Sequence, residues 1–209
     1  MSLLTNILPT EFTLDGYTLE INSDFRTMIK IDMLFKDNSI DISKKWETAF
    51  SLFYVSIPFT KIDEYYFKVL AEYLINFYSC GINNNDNINK KTNSNSNSNS
   101  KHVFCYNFDA EYIYSAFLHD YKIDLQKENL HWWIFNSLFK NLSEENEFVK
   151  IMKYRTIEIN SDMSNKEKEF YRKMKRKYEI PTSTNDIDIE HKNALEEALL
   201  KGESIDHLV

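Results

Sequence analysis

Residues 107 to 142 read NFDAEYIYSAFLHDYKIDLQKENLHWWIFNSLFKNL, and this run carries nine aromatic side chains, among them the adjacent pair Trp132 and Trp133. Its first half has helical spacing. Ala110, Ile113, Tyr114, Phe117, Leu118 and Tyr121 fall at i, i+3, i+4, i+7, i+8 and i+11, the stripe of a helix that turns one face to a core. Asn107 or Asp109 suits its cap, because a short side-chain oxygen accepts from the unpaired amides of a first turn. A second helix is predicted from Gln126 to Asn141 and is apolar nearly all round. Leu130, Trp133, Ile134 and Leu138 form one side, and Trp132, Phe135, Phe139 and Leu142 the other. Such a helix belongs between neighbours, so the rest of the chain is expected to wrap it. Burying one Trp removes roughly 150 to 250 Å² from water, worth roughly 4 to 6 kcal/mol, which rivals the net stability of a whole domain.

Composition agrees with a helical fold. Three glycines and three prolines in 209 residues supply too few tight turns for a sandwich or barrel, while 43% hydrophobic and 15% aromatic residues are ample for a core. The fold class expected is mainly α: a compact domain of six to seven helices over residues 1 to 181, with a small N-terminal β-hairpin. Trp46, Phe50, Tyr114, Phe117, Leu130, Trp132, Trp133 and Leu138 are its predicted core. A net charge of −7 argues against a binder driven by phosphate contacts. Cys80 and Cys105 have no neighbouring thiol or ligand-spaced His and read as small reduced core residues, with a disulfide as the alternative. No apolar run is long enough to span a bilayer, and the opening MSLLTNILPTEF lacks a secretory pattern, so the chain is placed in the cytoplasm.

Upstream of the central run, residues 11 to 22 alternate about Asp15-Gly16, a strong two-residue hairpin signal. A helix is predicted from Asp24 to Lys36, capped by Asn22 or Ser23, with Phe25, Met28, Ile29 and Met33 inward. Another runs from Lys44 to Ile57, capped by Ser43 and stopped by Pro58, with Trp46, Ala49, Phe50, Phe53, Tyr54 and Ile57 as its stripe. A third covers Glu64 to Ser79, capped by Asp63 and ended by Gly81, with Tyr66, Val69, Leu70, Tyr73, Leu74 and Phe77 inward. The Asn/Ser tract at 82 to 101 buries nothing and is expected to be a disordered loop insertion.

Downstream, Ser143 should cap a helix from Glu144 to Tyr154. Ser164-Asn165-Lys166-Glu167 is a capping box opening a helix to Tyr178, with Phe170, Met174 and Tyr178 in a row, Tyr171 beside them, and Pro181 after the end. Residues 182 to 190 read as a linker, and Ile189 to Lys201 as a short amphipathic helix closed by Gly202.

Catalytic chemistry finds no footing. His119, Asp120, Asp124, Glu128 and His131 are close in sequence, but the two histidines belong to different helices and no HExxH occurs. His131 reads as a polar contact beside the Trp pair. GxxxxGK[ST], GxGxxG and GxSxG are absent, so no enzyme activity, cofactor or metal is expected. The strongest charge feature lies between Lys166 and Glu179, where seven Lys and Arg face three Glu, a local +4. It reads as a solvated helix face, as a docking surface for an acidic protein, or, less readily, as a nucleic-acid site. Lys168, Arg172, Lys173, Lys175 and Arg176 are the candidate partner-binding residues.

The segments FDAEYIYSAFLHDYKIDL, LHWWIFNSLFKNLSEENEFVKIMKYR and MSNKEKEFYRKMKRKYEIP, together with LPTEFTLDGYTLEINSDFR near the N-terminus, resemble a family of tailed-phage proteins known as gene product fifteen. The similarity spans roughly residues 8 to 181, with IDL followed by LHWW as its signature. The resemblance implies a tail assembly chaperone of siphoviruses and their prophages. It would bind the tape-measure protein, help recruit the major tail protein, and leave before the tail is finished. An alternative is a tail-completion or connector component of the virion; a nucleic-acid-binding regulator is disfavoured.

Overall fold

A two-residue turn at Asp15 and Gly16 opens the fold, both residues at positive φ (50° and 82°), as a hairpin turn matched to strand twist requires. The structure, a computed structural model, describes residues 3–58, 62–82 and 103–181. The turn joins β1 (Glu11–Leu14) to β2 (Tyr17–Glu20), antiparallel with Phe12 opposite Leu19. Seven helices follow among the described residues: α1 (Phe25–Lys36), α2 (Ile42–Phe53), α3 (Glu64–Tyr78), α4 (Ala110–Tyr121), α5 (Trp132–Lys140), α6 (Glu147–Thr156) and α7 (Asn165–Lys177). The mainly α class with an N-terminal hairpin is therefore observed. The Asn/Ser tract, apart from Ile82, and the linker and helix predicted over 182 to 209 lie outside the described residues.

Two compact units divide the chain. Met1–Ser100 with Asp109–Lys150 form the first, and Lys101–Phe108 with Ile151–Val209 the second.

The first unit is organised around the start of α5. Trp132 donates its amide to the Ser23 carbonyl at 2.8 Å, and Phe25 donates to the Leu130 carbonyl at 3.0 Å, so α1 and α5 begin side by side. Phe135 then stacks on Phe25 (4.6 Å between centroids) and on Phe117 of α4 (4.9 Å), a three-ring column through the core. Both indole N–H groups reach the end of α3: Trp132 Nε1 donates to the Tyr78 carbonyl and Trp133 Nε1 to the Phe77 carbonyl, each at 2.8 Å. These bonds give each buried indole N–H an acceptor among the terminal carbonyls of α3.

Several predicted boundaries and core positions are corrected. The central helix begins at Trp132, not Gln126. Lys122 turns left-handed (φ 58°), Asp124 accepts from the Gln126 amide, and the Arg26 guanidinium donates to the carbonyls of Leu125 and Glu128, so 122 to 130 form a braced loop that inserts Leu125 into the core. Leu130 stands in that loop half-buried, as do Leu138 on α5 and Tyr114 on α4, whose hydroxyl donates to Asp124; none of the three is the buried core residue predicted. Trp46 is half-buried too. Met33, Leu118 and Ile134 are exposed, and Ile31 takes the inward place on α1 that Met33 was expected to fill. Trp132, Trp133, Phe50 and Phe117 are buried as predicted.

Caps shift by one or two residues. Asp24, not Asn22 or Ser23, caps α1, and Asp41, not Ser43, caps α2. Asp109 precedes α4 without making a capping bond, and α3 has its predicted cap, Asp63. Helix α2 stops four residues short of Ile57, because Tyr54 goes extended to bridge Ile21 and its buried hydroxyl donates to the Leu70 carbonyl at 2.7 Å. Helix α6 starts at Glu147 instead of Glu144. Asp120 accepts from the Ser143 amide at 2.7 Å and from Asn146 Nδ2 at 2.6 Å, holding 143 to 146 as a turn.

Candidate functional site

The second unit carries the charged helix singled out in the sequence. Its start is built as predicted: Ser164 Oγ accepts from the Glu167 amide and Glu167 Oε2 accepts from the Ser164 amide, a complete capping box. The hydrogen bonds from Ser164 hold the Glu167 carboxyl below the usual carboxylate range, which places a secure negative charge at the positive end of the helix.

Helix α7 buries no residue of its own. It is held by rings and by Arg155. Tyr154 lies 6.0 Å from Phe170, 6.5 Å from Tyr171 and 6.1 Å from Tyr178 between centroids, while the buried Arg155 donates through Nε to the Tyr178 carbonyl at 2.6 Å and through Nη1 to the Val103 carbonyl at 3.1 Å.

The five candidate cations divide by direction. Lys168 donates to the Ser161 carbonyl at 3.1 Å and Lys175 to the Arg155 carbonyl at 3.2 Å, and both are half-buried. They serve the fold. Arg172, Lys173 and Arg176 are exposed at i, i+1 and i+4, and their side chains make no hydrogen bond or ion pair with another described residue. They form one stripe, with Lys166 two turns before Lys173 and exposed Phe170 one turn before it. The arrangement can grip carboxylates by charge and an apolar side chain by the Phe170 ring. Sequence spacing grouped all five lysines and arginines because it cannot show which lysines reach back to a carbonyl.

A second surface, in the first unit, was missed. Ile42, Trp46, Phe50, Ile62 and Phe67 line an open hollow of about 440 Å³ beside α2 and α3, in which Trp46 meets Phe67 edge-on at 5.6 Å and Phe35 at 4.9 Å. Ile42 at 59% exposure and Phe67 at 39% leave much of this surface wet. Phe67 lies off the inward stripe of its own helix, which was the signal available in the sequence. The hollow offers mainly apolar contact, with Ser43 and Glu47 as its polar lining residues.

His131 has the structural role expected of it. Its Nδ1 accepts from the Trp133 amide at 3.1 Å and its Nε2 faces the Pro9 carbonyl at 3.0 Å, so it is a neutral ring that caps α5 with one nitrogen and donates with the other. Burial lowers its pKa, opposed by the bond to Pro9. His119 pairs with neighbouring Asp120 on the surface, apart from this arrangement. Both cysteines are free thiols and half-buried, and Asn136 Nδ2 lies 3.1 Å from Cys80 Sγ. Among the described residues no three His, Cys, Asp or Glu gather as a metal site, and no helix is long and apolar enough to cross a membrane.

The family model described as "Bacteriophage Gp15 protein" matches residues 4–180, a span that takes in the hairpin and all seven described helices. The chain belongs to the bacteriophage Gp15 protein family. Neither a curated protein nor a solved structure matches it significantly. Within this Gp15 family member, the matched span contains both the Trp-bearing helix α5 and the cationic helix α7.

Proposed function

We propose that this Gp15 family member is a non-enzymatic tail assembly chaperone that grips the phage tape-measure protein in the host cytoplasm and helps deliver the major tail protein. The observation that carries this reading is the stripe of Arg172, Lys173 and Arg176, exposed and without an ionic partner among the described residues. Opposite charge across an interface speeds encounter and sets orientation, while exposed pairs are weak enough to release. Those properties suit a protein that must hold a long helical client and then let it go. The apolar hollow beside Trp46 can take a hydrophobic face of the same kind of client.

Quantitative mass spectrometry of purified phage particles, compared with lysate from mid-assembly, tests the transient role. The protein should be abundant in the lysate and far below structural stoichiometry in the particles. A stoichiometric level in finished particles would make it a tail-completion or connector component.

A further inference from the structure

The stripe on α7 belongs to the most cationic stretch of the sequence, and its complement lies in the same sequence. Helix α7 itself holds seven Lys and Arg against two Glu, a net +5, whereas residues 182–209 hold seven Asp and Glu against two Lys, a net −5. We propose that the acidic segment Asp186 to Glu197 is the resting occupant of the α7 stripe, bound in cis and displaced when an acidic partner arrives. This inference goes beyond the chaperone reading and needs no particular client.

Reach permits it. Five residue steps separate Pro181 from Asp186, at most about 18 Å of chain, and Arg172 lies only about 8 Å along the helix from its last residue, Lys177. Asp186, Asp188 and Glu190 come first along that path, and Glu196 and Glu197 follow. Each exposed ion pair is weak alone, but a short tether keeps the segment at an effective concentration on the order of millimolar, so several weak pairs are enough to occupy the stripe. Phe170, 47% exposed and one turn before Lys173, offers an apolar seat to Ile187 or Ile189 between the carboxylates. A segment tethered this way raises the threshold for outside ligands. Weakly acidic proteins are turned away, and a client dense in carboxylates competes successfully.

The test uses the full chain without any client. A one-to-one mixture of ¹⁵N-labelled and unlabelled protein is treated with a carbodiimide that joins lysine amines directly to carboxylates, and the linked peptides are read by mass spectrometry. Links from Lys173 to carboxylates in 186–197 should form within one isotopic copy. Their yield should fall at least about fivefold in about 1 M salt, where charges are screened beyond about 3 Å. It should fall similarly in the double variant Arg172→Glu, Arg176→Glu, which keeps Lys173 as reporter. The variant Asp186→Asn, Asp188→Asn, Glu190→Gln leaves α7 untouched and should bind fluorescent poly-glutamate more tightly than the unmodified protein. No such links, links only between differently labelled copies, yields indifferent to the Arg reversals, or unchanged poly-glutamate binding would overturn the proposal. None of these results bears on whether a tape-measure protein is the client.

Discussion

Trp132 and Tyr78 hold each other twice: the indole N–H donates to the Tyr78 carbonyl at 2.8 Å, and the two rings stack at 5.5 Å between centroids. The pair ties the end of α3 to the first residue of α5 across 54 positions of sequence. Trp132 is 2% exposed, so its removal opens a cavity and leaves the carbonyl without this donor. Trp132→Ala is expected to cost about 3 to 5 kcal/mol in urea unfolding. Trp132→Phe should cost less, because most of the ring volume is kept. Equal losses for the two variants would show that the hydrogen bond, not the packing, dominates.

Two glycines allow the packing against Trp133 to be isolated. Gly16 and Gly81 both have positive φ (82° and 70°), but an added Cβ at Gly16 would meet nothing within 4 Å, while one at Gly81 would lie 3.2 Å from Trp133 Cη2. Gly16→Ala should cost about 1 to 2 kcal/mol from backbone strain alone. Gly81→Ala should cost visibly more by thermal or urea unfolding. Identical losses would show that the indole yields freely.

The position of His131 makes the fold acid-sensitive. Its lowered pKa means that, as pH falls below the ordinary value of 6.5, the unfolded chain takes up the proton before the folded one does. The stabilising effect of the neutral ring is complete above that value and declines as pH drops toward the folded-state pKa. Protonation at Nδ1 also removes the acceptor for the Trp133 amide. Melting temperature should therefore fall between pH 7 and pH 5 by more in the natural chain than in His131→Asn, which keeps a capping oxygen without titrating. Parallel pH profiles would remove His131 from the account.

How far the sequence could be read depended on range. The Asp15-Gly16 turn, the Asp63 cap and the Ser164–Glu167 box are decided by residues three or four apart, and each is found where the pattern places it. The end of α2 and the start of α5 are decided elsewhere. Ile21 pairs with Tyr54 and Asp24 with His131, so strand-like contacts with the β2–α1 junction override helical spacing that was locally sound. The same limit governs the cationic face. Arg172 and Lys175 look equivalent in a list of charges, but Lys175 turns inward to donate to the Arg155 carbonyl, 20 positions away.

Ser164 offers a local test of α7. Ser164→Ala removes half of the capping box and should cost about 1 kcal/mol, felt in the first turns of a helix that buries no residue. Amide hydrogen exchange should quicken across 165–170 while the amides of α5 keep their protection. Faster exchange in α5 as well would show that the two units unfold together.

The chaperone reading is tested most directly by co-expressing the protein with the tape-measure protein of the same phage and measuring how much soluble client co-purifies. The unmodified chain should raise client solubility and retain it on the affinity column. The triple variant Arg172→Glu, Lys173→Glu, Arg176→Glu should fold normally by circular dichroism and lose most of that capture, with recovery at least about tenfold lower. A client equally soluble alone, or captured as well by the triple variant as by the unmodified chain, would contradict the claim that the α7 stripe grips it.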